Sequence, residues 1–454
     1  MNFLKPETLA RRMPGEINTQ EITMWNPMLL RKEMNPNAIV PQSVPEKDKE
    51  LLRKLATRSR EIAELPIMAE RKKLWIAHNG LKSEIPMILA DPECAWEELI
   101  PTSELKCENP LLQYWELCLR KKIFWYENIN DDDTVEPWFD IGWNISMSDF
   151  GVKVEKTYGE DRGSYVWTHP VKKLPEDMKD LKFREIKIDR ENTYAQMELA
   201  EKLFGDLLPP RIRGKYFWSA GLTASVIELV GLEELMMMMY DQPEGLHQLM
   251  AWMRDEFMHF LDVLESEKLL SDTNENDYIG SGGIAYTDEL PRKDRKKDEP
   301  VRLIDTWWHL ESQETVGVSP QMFNEFIFPY QIPLAERFGL VCYGCCEPVD
   351  KRLEYIFQIP RLRRLSVSPW ADEEVCAEKF GRNYIYSRKP NPAPLCIDFN
   401  EDVLRESIVT TLQKAQGCVL EFNMKDTHTV QNDKTRIGKW VKMAREEIDK
   451  HWKK

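Results

Sequence analysis

The apolar positions of this chain follow two periods, and the changes from one to the other set out its organisation. In Glu46–Arg60, Leu51, Leu52, Leu55 and Ala56 recur at helical spacing with Lys and Arg between them, which predicts an amphipathic helix. Pro27, Pro36, Pro41 and Pro45 interrupt the stretch before it, so Met24–Pro45 reads as an extended arm. Such an arm wraps its own domain or reaches a second copy in a homodimer. Ile85–Leu89 alternates and reads as a first strand, and a helix over Leu111–Ile129 is ended by Asp131, Asp132 and Asp133. Trp138–Trp143, Phe150–Lys156 and Gly163–Thr168 are strand-like and predict hairpins inserted among helices.

Beyond Pro209 and Pro210 the pattern becomes regular. Short apolar runs occur at Lys215–Trp218, Asp277–Gly280, Leu303–Trp308, Leu340–Cys345, Leu365–Val367, Tyr384–Tyr386 and Val419–Phe422. Helical segments separate most of them, among them one from Gly221 through Met239, then Pro320–Phe338 and Asp402–Gln416. Asp241-Gln242-Pro243 opens a helix with Asp as its cap, and Leu246, Leu249, Met250, Met253, Phe257 and Phe260 form its apolar face. The last helix starts near Asn432 and carries Ile437, Trp440, Val441, Ala444 and Ile448 on one face. Apolar runs alternating with helices predict a parallel sheet covered on both sides. About eight of them predict an α/β fold of the (β/α)8 TIM-barrel type. The expected layout is a helical and extended arm over 1–80 and a barrel with a β-hairpin insertion over 81–454. A doubly wound open sheet is the alternative, but no dinucleotide fingerprint follows an early strand. Gly280-Ser281-Gly282-Gly283 lacks the third glycine and any P-loop lysine-serine, and reads as a turn needing positive φ.

Composition narrows the class. Charged residues make up 31% of the 454 positions, interspersed in sign, with a net charge of -15. That argues against a general nucleic-acid or anionic-membrane binder, because phosphate needs a basic face. No apolar run reaches the roughly eighteen residues of a transmembrane helix, and Met1–Glu7 lacks the apolar core of a signal peptide. Nine cysteines without a secretion signal point to reduced thiols in a cytoplasmic protein. Fifteen Trp and twenty Met suit apolar ligand pockets and ordinary cores alike.

In a barrel the chemistry sits at the C-terminal ends of the strands, so those ends supply the candidates. His309 and Glu311 end one strand, where they orient a ligand, act as general acid, or cap a loop. Cys345, Cys346 and Glu347 end the next, and Asp426 and His428 follow the last. Thiolate, imidazole and carboxylate together are zinc-ligand types; buried thiols are equally ordinary core residues. Cys342 and Cys345 also form a C-x-x-C, but redox pairs of that kind open a helix, whereas Cys342 falls within a strand. Arg388 and Lys389, followed by Pro390, bind a carboxylate or phenolate, or lie in a solvated turn. Tyr278, Trp307, Trp308, Trp370 and Tyr286 are the aromatic candidates for walling a substrate, with Asn276 and Asp277 as polar companions. His247 and His259 fall on helices away from strand ends and read as structural or surface residues.

Residues Trp218–Met250 run from a strand into G-L-T-A-S, then G-L-E-E-L-M, then Y-D-Q-P-E-G-L-H-Q-L-M. This order, with Tyr343-Gly344-Cys345 at a strand end and a final strand at Gly417–Asn423, resembles the uroporphyrinogen decarboxylase superfamily over roughly residues 85–450. The resemblance implies a single barrel. The Arg-Gln-Ala-Gly-Arg motif of its decarboxylases is absent here; the other branch consists of methyltransferases that exchange methyl groups with a corrinoid protein or with coenzyme thiols. Some of these hold zinc with a His-x-Cys at one strand end and a Cys at the last. Laid on this chain, Tyr343 replaces that histidine and Cys345 is kept. Glu421, Asp426 and His428 occur where the second cysteine would fall. The resemblance therefore implies zinc on Cys345, His428 and Glu421, and the strand-end positions offer Glu311, Glu347, Asp426 and His309 for catalytic roles. Tyr278, Trp308, Arg388 and Lys389 would bind the substrate, a small methylated compound such as an aryl methyl ether. Its competitors are a decarboxylase or other lyase acting on an anion, and a non-catalytic ligand-binding member.

Overall fold

The computed structural model describes residues 35–158, 165–214 and 219–453. In chain order its strands are β1 (Met87–Ala90), β2 (Phe139–Gly142), β3 (Asn144–Met147), β4 (Lys156–Tyr158), β5 (Tyr165–Trp167) and β6 (Ile186–Asp189). They continue as β7 (Pro210–Arg213), β8 (Trp307–Leu310), β9 (Leu340–Tyr343), β10 (Leu362–Val367), β11 (Ile385–Arg388) and β12 (Val419–Met424). Six of them form one parallel sheet in the order β1-β12-β11-β10-β9-β8. β2 and β7 form a second, parallel pair, while β3–β6 and β4–β5 are antiparallel pairs.

Side chains alternate across the main sheet. Trp308, Val341, Leu365, Tyr386, Leu420 and Phe422 face the helices in one large apolar core. The alternate positions, His309, Cys342, Arg364, Ser387 and Glu421, face inward and are buried. A polar inner face is what makes this sheet a site as well as a scaffold.

Among the described residues the ladder does not close on itself, and its two edges are satisfied by other segments. Asp132 Oδ2 accepts the Ile88 N–H at 2.7 Å and Asp131 Oδ2 accepts that of Ala90 at 2.8 Å, along the free side of β1. On the β8 side, Thr273 Oγ1 accepts the Trp307 N–H at 2.7 Å, and the Ala220 N–H donates to the His309 carbonyl at 3.0 Å. Buried backbone groups need such partners wherever a neighbouring strand is missing.

Most of the expected elements are present, and the differences have local causes. Lys215–Trp218 lies outside the described residues. Asp277–Gly280 is no strand: a single bridge pairs Tyr278 with Ile284 while the chain reverses through Gly280, Gly282 and Gly283, whose φ values are 62°, 105° and 136°. Leu303–Asp305 is a 3-10 turn, held by Asp305 accepting the N–H groups of Arg292 and Arg302, so β8 begins only at Trp307. Trp138–Trp143 makes no hairpin, because β2 within it pairs in parallel with β7. The helix expected from Gly221 is broken at Gly231 (φ 96°) into Thr223–Val230 and Leu232–Asp241. Asp241 does not cap the next helix; Gln242 precedes Pro243 there, without a side-chain capping bond.

The glycine turn crosses the inner face of the sheet at close range. A Cβ on Gly283 would lie 2.6 Å from the Arg364 Cζ, in a backbone conformation that already disfavours a side chain. Gly283→Ala is therefore expected to cost about 1–3 kcal/mol. A denaturant midpoint unchanged from wild type would refute this.

The described part of the arm lies along its own chain. Gln196 Nε2 donates to the Pro36 and Ala38 carbonyls, each at 2.9 Å. Helix Glu46–Ala63 places Leu52 and Ala56 in a core with Leu111, Trp115 and Phe204. Helix Pro66–Asn79 delivers His78 and Asn79 to the inner face of the sheet. No helix among the described residues is long and apolar enough to cross a membrane.

Candidate active site

Between the main sheet and the β2–β7 pair lies a cavity of about 400 Å³, enough for a one-ring molecule. Trp138, Phe139, Trp143, Trp307 and Tyr278 supply aromatic wall, and Asp91, Asp133, Glu136 and Lys425 supply polar atoms. The β2–β7 side is fixed by ion pairs. Arg211 lies 4.1 Å over the Trp138 ring and pairs with Asp140 at 2.7 Å and Glu275 at 2.6 Å. Arg213 pairs with Asp277 at 2.8 Å.

At the C-terminal ends of β1, β9 and β12 a set of titratable groups gathers beside this cavity. The buried Lys425 ammonium is 3.2 Å from Glu93 Oε1. Burial works against that charge, but Tyr278, Glu93, Cys345 and Asp426 outweigh it and keep Lys425 protonated. Burial first, then the neighbouring Asp91 and Asp426, pushes Glu93 up to about 7 against the opposing pull of Lys425. Asp91, half-buried and open to the cavity, is raised mainly by desolvation, which the Glu93 N–H and the charges of Lys425 and Lys121 partly offset. Glu93 and Asp426 adopt left-handed backbone, at φ 45° and 56°, and the Asp426 N–H donates to Glu93 Oε2 at 2.7 Å. Two such residues clasped at adjacent strand ends are the kind of local strain that functional sites hold.

Cys345 and Cys346 complete the set, with their sulfurs 3.7 Å apart and Cys346 Sγ 4.0 Å from Asp426 Oδ2. The Cys345 thiol is lowered to about 6, chiefly by the hydrogen bond from Cys346; burial opposes this, and Lys425, Ser281 and Lys389 favour the thiolate. Cys346 is correspondingly raised by that bond and by burial.

Beneath this set the inner face of the sheet carries a polar network. Glu421 accepts from His78 Nε2 at 2.9 Å and from Arg364 Nη2 at 3.2 Å. Arg364 Nε is also 2.9 Å from Glu421 Oε1, an ion-pair contact off the N–H direction. Asn79 Oδ1 accepts from Arg364 at 2.7 Å, and Asn423 Nδ2 bridges Glu421 and Ser387. Burial would raise Glu421, but Arg364 and His78 hold it down at about 2.

The residues singled out from the sequence separate accordingly. Tyr278 lines the cavity, and Asp426 sits beside Cys346. Trp308 also reaches the lining, although its ring stacks on Phe338 at 4.6 Å on the helix side. Glu347 is buried, with its two oxygens accepting the N–H groups of Ser312 and Cys345, so it clamps two strand-end loops together. Glu311 accepts the Gln313 N–H, and burial, then Glu314 and Glu347, push its pKa well above the ordinary carboxylate value. His309 is buried on the inner face and kept neutral, its pKa lowered to about 3 by burial and then by Lys389 and Lys425. Lys389 donates to Ser387 Oγ and is lowered to about 8 by burial and Lys425. Arg388 points the other way, to the Ser368 carbonyl at 2.6 Å and to Glu373 at 3.0 Å, and holds helices to the sheet. Trp370 is 73% exposed and takes no part.

Cys345, His428 and Glu421 are not gathered into a zinc site. His428 is exposed, Glu421 is saturated by Arg364 and His78, and no three His, Cys, Asp or Glu side chains among the described residues could hold a metal. The residues present do not fit zinc. Asp91, Glu93 and Lys425 were missed. Applying the strand-end rule to Ile85–Leu89 would have found the first two, and Lys425 adjoins the candidate Asp426.

No protein-family model matches this chain, and no curated protein does. Among solved structures, a methyltransferase from Methanosarcina mazei is similar to it with a TM-score of 0.46 and 12% identity. The match covers 84% of this chain and 98% of that one.

Proposed function

We propose that this chain is an enzyme on a (β/α)8 barrel that removes a methyl group from a small methylated compound, such as an aryl methyl ether, bound in the cavity. The observation that carries the reading is an aromatic-walled space of one-ring size bordered by a carboxyl, Asp91, whose pKa desolvation raises. An ether oxygen leaves poorly as an anion, so a positioned acid at that wall has a definite use. As the methyl carbon passes to a nucleophile, the C–O bond breaks and its electron pair stays on oxygen. Asp91 gives that oxygen its proton and is re-protonated from solvent. Tyr278 and Trp307 hold the ring, while Lys425 and Glu93 fix the local charge. A corrinoid on a partner protein would supply the nucleophile and carry the methyl group away.

The test is to mix the protein with reduced cobalamin and a panel of methoxybenzenes and methoxyphenols, and to follow absorbance for methylcobalamin. A donor-dependent signal is expected; silence across the panel would remove the reading. One observation favours a second reading, a carboxy-lyase on an anionic substrate. Lys389 and Lys425 are two buried cations close enough to depress the pKa of Lys389. Release of carbon dioxide from aromatic acids, with no methyl transfer, would favour it.

A further inference from the structure

Ether cleavage by Asp91 leaves the two adjacent cysteines without a task. We propose that Cys345 and Cys346 form a vicinal dithiol, a site of reversible two-electron oxidation by hydroperoxides just past the end of β9.

The geometry selects this pair. β9 ends at Tyr343, and Gly344 turns the chain at φ 94°, so the next two residues leave the alternation of the strand and their sulfurs meet at 3.7 Å. Cys342, the other half of the C-x-x-C, stays on the inner face, where its sulfur accepts from Arg364 Nη1 at 3.7 Å and lies against Gly280. It is therefore held as a core residue. Lys425 and Lys389 favour a thiolate on Cys345, and Asp426 lies within reach of the Cys346 proton.

The chemistry balances without any further reactant. The Cys345 sulfur attacks a peroxide oxygen: an S–O bond forms, the O–O bond breaks, and the departing hydroxide (or alkoxide) takes a proton. The Cys346 sulfur then attacks Cys345. The S–S bond forms, the S–O bond breaks, and hydroxide leaves as water with the Cys346 proton, passed through Asp426. Two thiols and one hydroperoxide give one disulfide, water and the reduced alcohol or a second water. Cα atoms joined by a trans peptide are about 3.8 Å apart, inside the lower limit of about 4.4 Å for an unstrained disulfide. The product is strained and easily reduced, which makes the change reversible.

The experiment treats the whole protein with hydrogen peroxide and maps the tryptic peptide 338–351 without reduction. Wild type should lose two hydrogens from that peptide, with the bond between Cys345 and Cys346, and dithiothreitol should restore both thiols. Cys342→Ser should behave identically. In Cys346→Ser no disulfide should form, and Cys345 should pass on to the sulfinic acid, which dithiothreitol does not restore. A bond to Cys342, sulfinic Cys345 as the main wild-type product, or full recovery of thiols in Cys346→Ser would each overturn the proposal. Wild-type mapping with Cys342 alkylated decides the matter if a variant fails to fold. It does so whether or not methyl transfer is found.

Discussion

Replacing Asp91 by asparagine is expected to lower turnover by about 10²–10⁴-fold, the range for loss of a positioned general acid. Asparagine keeps the shape of the side chain and its Oδ1, which accepts the Glu93 N–H at 3.0 Å, so the turn after β1 should stand. What disappears is the proton. In wild type the Asp91 carboxyl is raised by burial, and acid catalysis needs its protonated form. Wild-type rate should therefore fall as pH rises through that raised value. The residual rate of Asp91→Asn should lack this limb. The loss should appear in kcat, with KM little changed, because the aromatic wall that binds the ring is untouched. Steady-state kinetics across a pH series reads both effects. Full activity in Asp91→Asn, or an unchanged basic limb, would dismiss Asp91 as the acid.

That Asp91 was overlooked shows what the sequence conveys here. Strands β8 to β12 were legible to within a few residues because buried parallel strands read as short apolar runs. The same rule concealed the inner face, since Arg364 and Glu421 sit inside such runs and each looks like a lone polar interruption. Only folding sets Arg364 on the strand next but one to that of Glu421, with β11 between them, and brings His78 from a helix 343 residues away to meet that carboxylate. Nothing in Pro66–Asn79 announces this, because a histidine buried against a partner so distant in sequence leaves no periodic trace. The cysteine cluster was visible, but the sequence could not say which sulfurs pair. Gly344 and the end of β9 settle that by releasing Cys345 and Cys346 from strand alternation while Cys342 stays within it. The zinc set fails for a related reason. Ligand types can be read from a row of letters, whereas the saturation of Glu421 by Arg364 is a property of the packed sheet.

That saturation carries the largest expected effect on stability. Arg364→Met keeps much of the side-chain volume and removes the cation, which leaves Glu421 buried with the uncharged donors His78 and Asn423 against it. Breaking a buried pair in this way is expected to cost about 3–5 kcal/mol. The pH dependence should also weaken. In wild type Glu421 is held at about 2, below its ordinary 4.5. The unfolded chain then binds the proton first, so the stabilisation is complete above about 4.5 and is lost as pH falls toward 2. His78, lowered by burial from its ordinary 6.5, adds a loss in the same direction as pH falls through that value. Without Arg364 the largest influence opposing burial is gone, so the Glu421 pKa rises from its wild-type value. Its contribution near neutral pH shrinks accordingly. The gap between wild type and variant should therefore be widest near neutrality and narrow in acid, as read by urea unfolding at several pH values. Replacing both partners, Arg364→Met with Glu421→Met, should recover much of the loss, because no charge is left stranded in the sheet. A single variant as stable as wild type at neutral pH, or a double variant no better than the single, would show that the pair does not hold the inner face together.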